Sequence, residues 1–215
     1  MGYIIVNPAT LKRIVEDRIT NLDGHIFQSL CDRLCIKLYP NDYTPVRAGG
    51  PEGDLKNDGY CPKARIFFAA HATRGETINK TKGKIKSDLE GCLEKHPRIT
   101  SWIFLTNDTL VGEVEKFADE LREKHPDLTI ETWGHKKITE KICKFPERII
   151  GEIVDLSIEA TVEITAEIDY AVKLMEESKP HEAMAVLERL WSQHNDKMSD
   201  RQRFRVQANI GHAYL

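Results

Sequence analysis

No apolar run in this sequence approaches the roughly 20 residues of a membrane-spanning helix, and nothing in it resembles a signal peptide. Neither GxGxxG nor GxxxxGK[ST] stands between a strand and a helix, which weighs against a doubly wound nucleotide-binding domain. The cysteines number five, so they do not form a fully paired disulfide framework. Together these features lead us to expect a protein of the reducing cytoplasm, with no membrane partner. Cys31 and Cys35 share a helical face, but further zinc ligands at suitable spacing are missing. Small buried hydrophobes are the better reading. A general basic excess is also absent: the formal net charge is -3, which argues against a coat for nucleic acid.

What charge there is divides unevenly. Residues 151–215 hold 12 acids against 7 Lys or Arg, leaving 22 acids against 24 Lys or Arg in residues 1–150. At 215 residues, 40% of them hydrophobic, the chain can bury one large core or two small ones. "PATLKRIVEDRIT" carries Leu11, Ile14, Val15 and Ile19 at helical spacing, and "GHIFQSLCDRLCIKLYP" repeats the pattern until Pro40 stops it. "YTPVRA" is a short strand candidate, and a glycine-rich turn follows. "RIFFAAHAT", "ITSWIFLTND" and "DLTIETWG" read as strands, and helices are expected over about 82–96, across "LVGEVEKFADELREKHP" and across "HKKITEKICKF". Strands alternating with helices predict an α/β layer with a partly parallel sheet over about residues 1–150. After about 145 only helical patterns remain. "RIIGEIVDLSIEATVEI" reads as one connecting helix, and the break at "SKPH" places Pro180 at the start of another.

The stretch "GGPEGDLKNDGYCPKARIFFAAHATR", from Gly49 to Arg74, carries the chemistry. Metal-assisted phosphodiester cleavage needs an acid to hold a divalent cation and a basic or cationic group near the attacking water. Asp54 and Asp58 lie in a turn whose glycines permit sharp bends, directly before a strand. Acids are also ordinary turn residues, and His71 reads as a core histidine, a metal ligand or a base. Arg74, Lys80, Lys82, Lys84 and Lys86 follow, at and before the expected helix start. The helix dipole opposes positive charge there, so an anion such as a phosphate backbone would relieve them. A solvated lysine-rich loop is the plainer alternative.

The order "FQSLCDRL", "GGPEGDLKNDGY", "IFFAAHAT", "KIKSDLEGCLEKHPRITSWIFLTND" resembles the PD-(D/E)XK restriction-endonuclease-like superfamily over about residues 22–135. It is closest to the Mrr-like branch at the N-termini of bacterial defence proteins. That branch has a "GDxGxDG" turn, matched by Gly53 to Gly59 except that Lys56 replaces a glycine. The resemblance implies a mixed sheet flanked by helices, Mg²⁺ or Mn²⁺ as cofactor and DNA as substrate. It implies Asp58 as the metal-binding acid, with Asp54 assisting. Gln28 stands where a supporting glutamate is usual. Ala69-Ala70-His71 stands where (E/Q)xK is expected, so His71 or Lys84 would take the lysine's role, with the 80–86 lysines on phosphates. If neither does, the domain is a catalytically silent nucleic-acid-binding or protein-docking module.

"NIGHAYL", with Ile210, Gly211 and Tyr214, resembles helix A of a tetratricopeptide repeat, and Ala183 the small residue of helix B in the repeat before. That resemblance implies an all-α repeat array over about 151–215. The array would continue beyond Leu215, bind a protein partner or trigger, and leave an apolar face open to self-association into a homo-oligomer.

Overall fold

The structure is a computed structural model that describes residues 7–46, 58–198 and 200–213. It packs as two compact units. One is continuous, residues 19–145; the other joins residues 1–18 to 146–215. The sequence pattern groups the whole N-terminus with the sheet. The difference arises at α1 (Pro8–Thr20), whose Ile14 and Val15 are buried and whose Arg18 Nε donates to the Val154 carbonyl at 3.1 Å.

In the continuous unit α2 spans Gly24–Leu38 and buries Phe27, Leu30, Cys31, Leu34 and Cys35, one stripe of the 3.6-residue period. The two cysteines are therefore core residues, as expected. A mixed sheet of order β1-β2-β3-β4-β5 follows, from β1 (Thr44–Pro45), β2 (Gly59–Cys61), β3 (Ile66–His71), β4 (Ser101–Thr106) and β5 (Thr129–Trp133). The first three strands are antiparallel and the last three parallel, with Gly59 opposite Phe68, Phe68 beside Ile103 and Ile103 beside Glu131. Parallel neighbours need crossovers, and α3 (Ile78–Lys95) and α4 (Gly112–Lys124) supply them before α5 (His135–Ile142). The α/β expectation with a partly parallel sheet holds.

Side-chain alternation along β3 divides the core in two. Phe67 and Ala69 join Ile85, Leu89, Trp102, Phe104 and Val114. Phe68 meets Tyr39, Tyr43 and Trp133 instead, at ring separations of 5.6, 5.5 and 6.4 Å. Where β3 and β4 end, buried polar groups pin the chain. The Thr73 amide donates to Asn107 Oδ1 at 3.0 Å, and Asn107 Nδ2 donates to the Leu22 carbonyl at 2.6 Å.

The other unit is helical throughout its described residues. Where one connecting helix was expected there are two, α6 (Glu147–Val154) and α7 (Ile158–Glu176). The chain turns left-handed at Asp155, φ 55°, and Ser157 caps α7 by accepting from the Ala160 amide. Next come α8 (Pro180–His194), with Pro180 in its first turn as expected, a short 3-10 turn, and α9 (Asp200–Ala213). Ile164, Ile168, Ala171, Leu174, Ala183, Leu187, Leu190 and Val206 form their core, with Ile210 packed on it. Gln202 Nε2 donates to the Thr161 carbonyl and Thr165 Oγ1, both at 2.9 Å, which satisfies polar groups inside that core. Tyr214 and Leu215 lie outside the described residues.

Gly59 makes the clearest demand on sequence. A Cβ there would enter the ring of Tyr43, whose hydroxyl donates to Asp32 Oδ1. Gly59→Ala should therefore destabilise the chain by about 1–3 kcal/mol, the usual range for overpacking. The same change in a Tyr43→Ala background should cost far less. Urea unfolding of the double-mutant cycle checks this, and equal costs in both backgrounds would show that the ring is not the obstacle.

Candidate functional site

Asp58 stands one residue before β2, beside the middle of β3. Its amide donates to the Phe68 carbonyl at 2.8 Å. The carboxylate turns back on the sheet: Oδ2 accepts from the Ala70 amide at 2.6 Å and Oδ1 from Gln28 Nε2 at 2.9 Å. Gln28 thus donates to the acid, where a carboxylate at that position would repel it. Asp54 lies outside the described residues.

Burial lifts the Asp58 carboxyl from 3.8 to about 6, against the bond from Ala70. The charge of Asp88 raises it further, that of Lys84 lowers it, and Asp32 adds a smaller push upward. Lys84 and Asp88 are therefore electrostatic neighbours of Asp58. They are also bound to each other, Lys84 Nζ donating to Asp88 Oδ1 at 2.9 Å across one turn of α3. Sequence reasoning missed Asp88. The signal was present, because Asp88 falls on the apolar stripe of Thr81, Ile85, Leu89 and Cys92, and a lone acid on such a stripe needs a partner.

His71 takes a different partner. Its Nε2 lies 3.3 Å from Glu76 Oε2, and Glu76 also holds Lys80 at 2.5 Å. Burial alone would raise the Glu76 carboxyl; its bond to Lys80 and the charge of His71 outweigh that and hold it below its ordinary value. Ala69 is buried in the core, so β3 presents no acid at that position.

The remaining basic residues occupy a helix already begun. α3 starts at Ile78 with Thr77 as its cap, four residues before the expected start, so Lys80 to Lys86 lie within its first turns. Their charge is partly answered by the chain itself: Lys80 by Glu76, Lys82 by Glu113 at 3.8 Å and Lys84 by Asp88. Lys86 is exposed and has no ion-pair partner among the described residues. Arg74 donates from Nη1 to the Thr20 carbonyl at 2.9 Å and to Asn21 Oδ1 at 2.5 Å, fastening the loop after β3 to the residues before α2.

Asp88 and Lys84 are an ion pair on α3 whose charges act on the Asp58 carboxyl. Each Asp58 oxygen already accepts one bond and keeps a second lone pair. No cluster of three or more His, Cys, Asp or Glu able to hold a metal occurs among the described residues, which does not fit a structural zinc site. Magnesium is different, since it commonly takes one or two carboxylates and keeps several waters. Asp58 and Asp88 are donors of the type such a cation takes. No family model matches the chain, and neither a curated protein nor a solved structure matches it.

The Asp58 carboxyl binds a proton more readily folded than unfolded, so its ionisation works against the fold. That penalty is absent below about pH 4, grows as pH rises through about 6, and is full at pH 8. Asp58→Asn should therefore stabilise the protein at pH 8. The gain should be at most about 3 kcal/mol, since a tenfold change in proton affinity is worth about 1.4 kcal/mol. It should vanish near pH 4. Thermal melts across that range check it, and a gain independent of pH would show that desolvation of the charge is not the cause.

Proposed function

We propose that residues 19–145 form a metal-dependent phosphodiester-cleaving domain acting on DNA, with Asp58 as its central acid. The observation that carries this reading is that the Asp88–Lys84 ion pair of α3 acts on the buried Asp58 carboxyl, in a chain whose hairpin sequence resembles the PD-(D/E)XK superfamily. Asp58 and Asp88 would hold Mg²⁺ or Mn²⁺, which when bound supplies charge stabilisation and a more acidic water. Gln28 and the Ala70 amide fix the Asp58 carboxylate, so that it need not reorganise on binding. Lys84 gives the ammonium that β3 lacks and is held ready by Asp88. Lys80, Lys82 and Lys86 extend positive charge along α3 for backbone phosphates. His71 supports this region through Glu76 and Lys80 and is not needed as a base.

The helical residues 146–213 would act as the controlling part of a prokaryotic defence effector, in keeping with the tetratricopeptide-like "NIGHAYL". Exposed Tyr170 and Phe204 on α7 and α9 offer a partner apolar surface. A second reading is favoured by Ala69 and by the engagement of His71 with Glu76: a silent module that binds nucleic acid without cutting it.

A nicking assay on plasmid DNA with Mg²⁺ or Mn²⁺ separates the two. Wild type should cut, while Asp58→Ala and Lys84→Ala should lose at least about 100-fold in rate, the lower end for an acid–base or charge-stabilising group. Cutting by Asp58→Ala at the wild-type rate would sink the site, and a wild type that binds DNA without nicking it supports the silent module. Replacing Lys80, Lys82 and Lys86 by Gln should flatten the log–log salt dependence of duplex binding, by about 0.9 for each phosphate no longer neutralised. An unchanged slope would mean that these lysines touch solvent alone.

A further inference from the structure

At the other end of β3 the surface forms an open pocket of about 440 Å³, within the size range of small-ligand sites. It lies roughly 10 Å along the strand from Ala70, since Phe67 is three residues away. Three rings line it in series. Tyr60 stacks on Phe67 with centroids 5.7 Å apart and planes at 21°, and Phe67 faces His96 at 4.5 Å and 33°. Pro97 and Ile99 add apolar wall.

The pocket is not merely apolar. Arg65 and Arg98 also line it, both exposed, and neither has an ion-pair partner among the described residues. No acid lines it among the described residues. His96 Nε2 is buried and has no hydrogen-bond partner among them. Burial, with the charge of Lys95, holds the His96 imidazole below its ordinary value, so the ring adds no positive charge that would repel the two arginines near pH 7. Arg65 is held left-handed at φ 54°, its carbonyl accepting from the Thr100 amide at 3.0 Å and from the Ser101 amide at 3.3 Å. Residues forced into that region are costly, and they persist where the surroundings fix them, often beside a ligand.

We propose that this pocket binds a nucleoside monophosphate unit, its base against the Tyr60–Phe67–His96 rings and its phosphate on Arg65 and Arg98. A planar base matches a ladder of rings, because every base has a π-face and stacking needs no particular sequence. Guanidinium groups match a phosphate with forked hydrogen bonds, and the lack of acids leaves the rim positive. The unit could arrive as a free mononucleotide or as the end of a single strand. The pocket stands apart from the Asp58 acids and does not depend on cleavage there.

Titration calorimetry on the whole chain tests this with four probes: AMP, adenosine, inorganic phosphate and a 5′-phosphorylated oligo-dA tetranucleotide. AMP should bind with a Kd below about 1 mM, and adenosine and phosphate should each bind at least about tenfold more weakly. Arg98→Ala should weaken AMP at least about fivefold and leave adenosine unchanged, whereas Tyr60→Ala should weaken both. Arg98 is exposed, so its variant should fold, which circular dichroism verifies. A tetranucleotide that binds more tightly than AMP points to a strand as the source; equal affinity points to the mononucleotide. The proposal is overturned if AMP does not bind in that range, or if adenosine or phosphate matches it. It is also overturned if both variants bind AMP as wild type does.

Discussion

The bond from the Ala70 amide to Asp58 Oδ2 fastens the very short β2 to the central strand of the sheet. β1 and β2 are two and three residues long, too short to hold register by their own ladder. A charged acceptor gives a stronger bond than a neutral carbonyl, and here it lies just beyond the last paired residue of β2. The same acid takes the Gln28 amide from α2, so helix, β2 and central strand meet at one carboxylate. Its burial is tolerated because both oxygens are satisfied, and its raised carboxyl is what that burial costs.

Around this point other side chains serve as scaffolding. Thr73, Asn107 and Arg74 are used to hold the ends of β3 and β4 to the residues before α2. The groups left near Asp58 come from α3, which leaves the sheet at the carboxyl end of β3. In α/β layers that end is where ligands bind, because the loops there are free to vary while the strands stay fixed. The lysines of α3 add charge in its first turns, where the helix dipole opposes it. Glu76, Glu113 and Asp88 offset that within the protein, so an outside anion is not required for the helix to form.

Elements buried on both faces were legible in the sequence. β4, "SWIFLT", is nearly all buried and reads as an unbroken apolar run. The stripe of α2 and the start of α8 at Pro180 were equally clear. β2 was not, because three residues give no period and its neighbours are glycine and aspartate. The split between α6 and α7 was masked by apolar residues on both sides, although Ser157 was a usable cap signal. Asp58 and Gln28 stood out through the hairpin pattern, and Lys84 through the run of lysines after His71. Asp88 needed three-dimensional information, since its partner choice follows from which face of α3 meets the sheet. The grouping of residues 1–18 with the final helices has no local signature at all.

That grouping has a kinetic side. Arg18 reaches Val154 across 136 residues of chain, and Asp17 pairs with Arg201 farther still. Closing a loop of that length in an unfolded chain carries a large entropic cost before any contact compensates it. Residues 19–145 have their own core and largely sequential strand pairings, which form at smaller separations. Once they have condensed, residues 18 and 146 are joined by a compact body in place of a coil, and most of that entropy is already lost. The helical unit is then completed by a short search. During synthesis Asp17 of α1 also waits for its partner Arg201 until α9 has emerged.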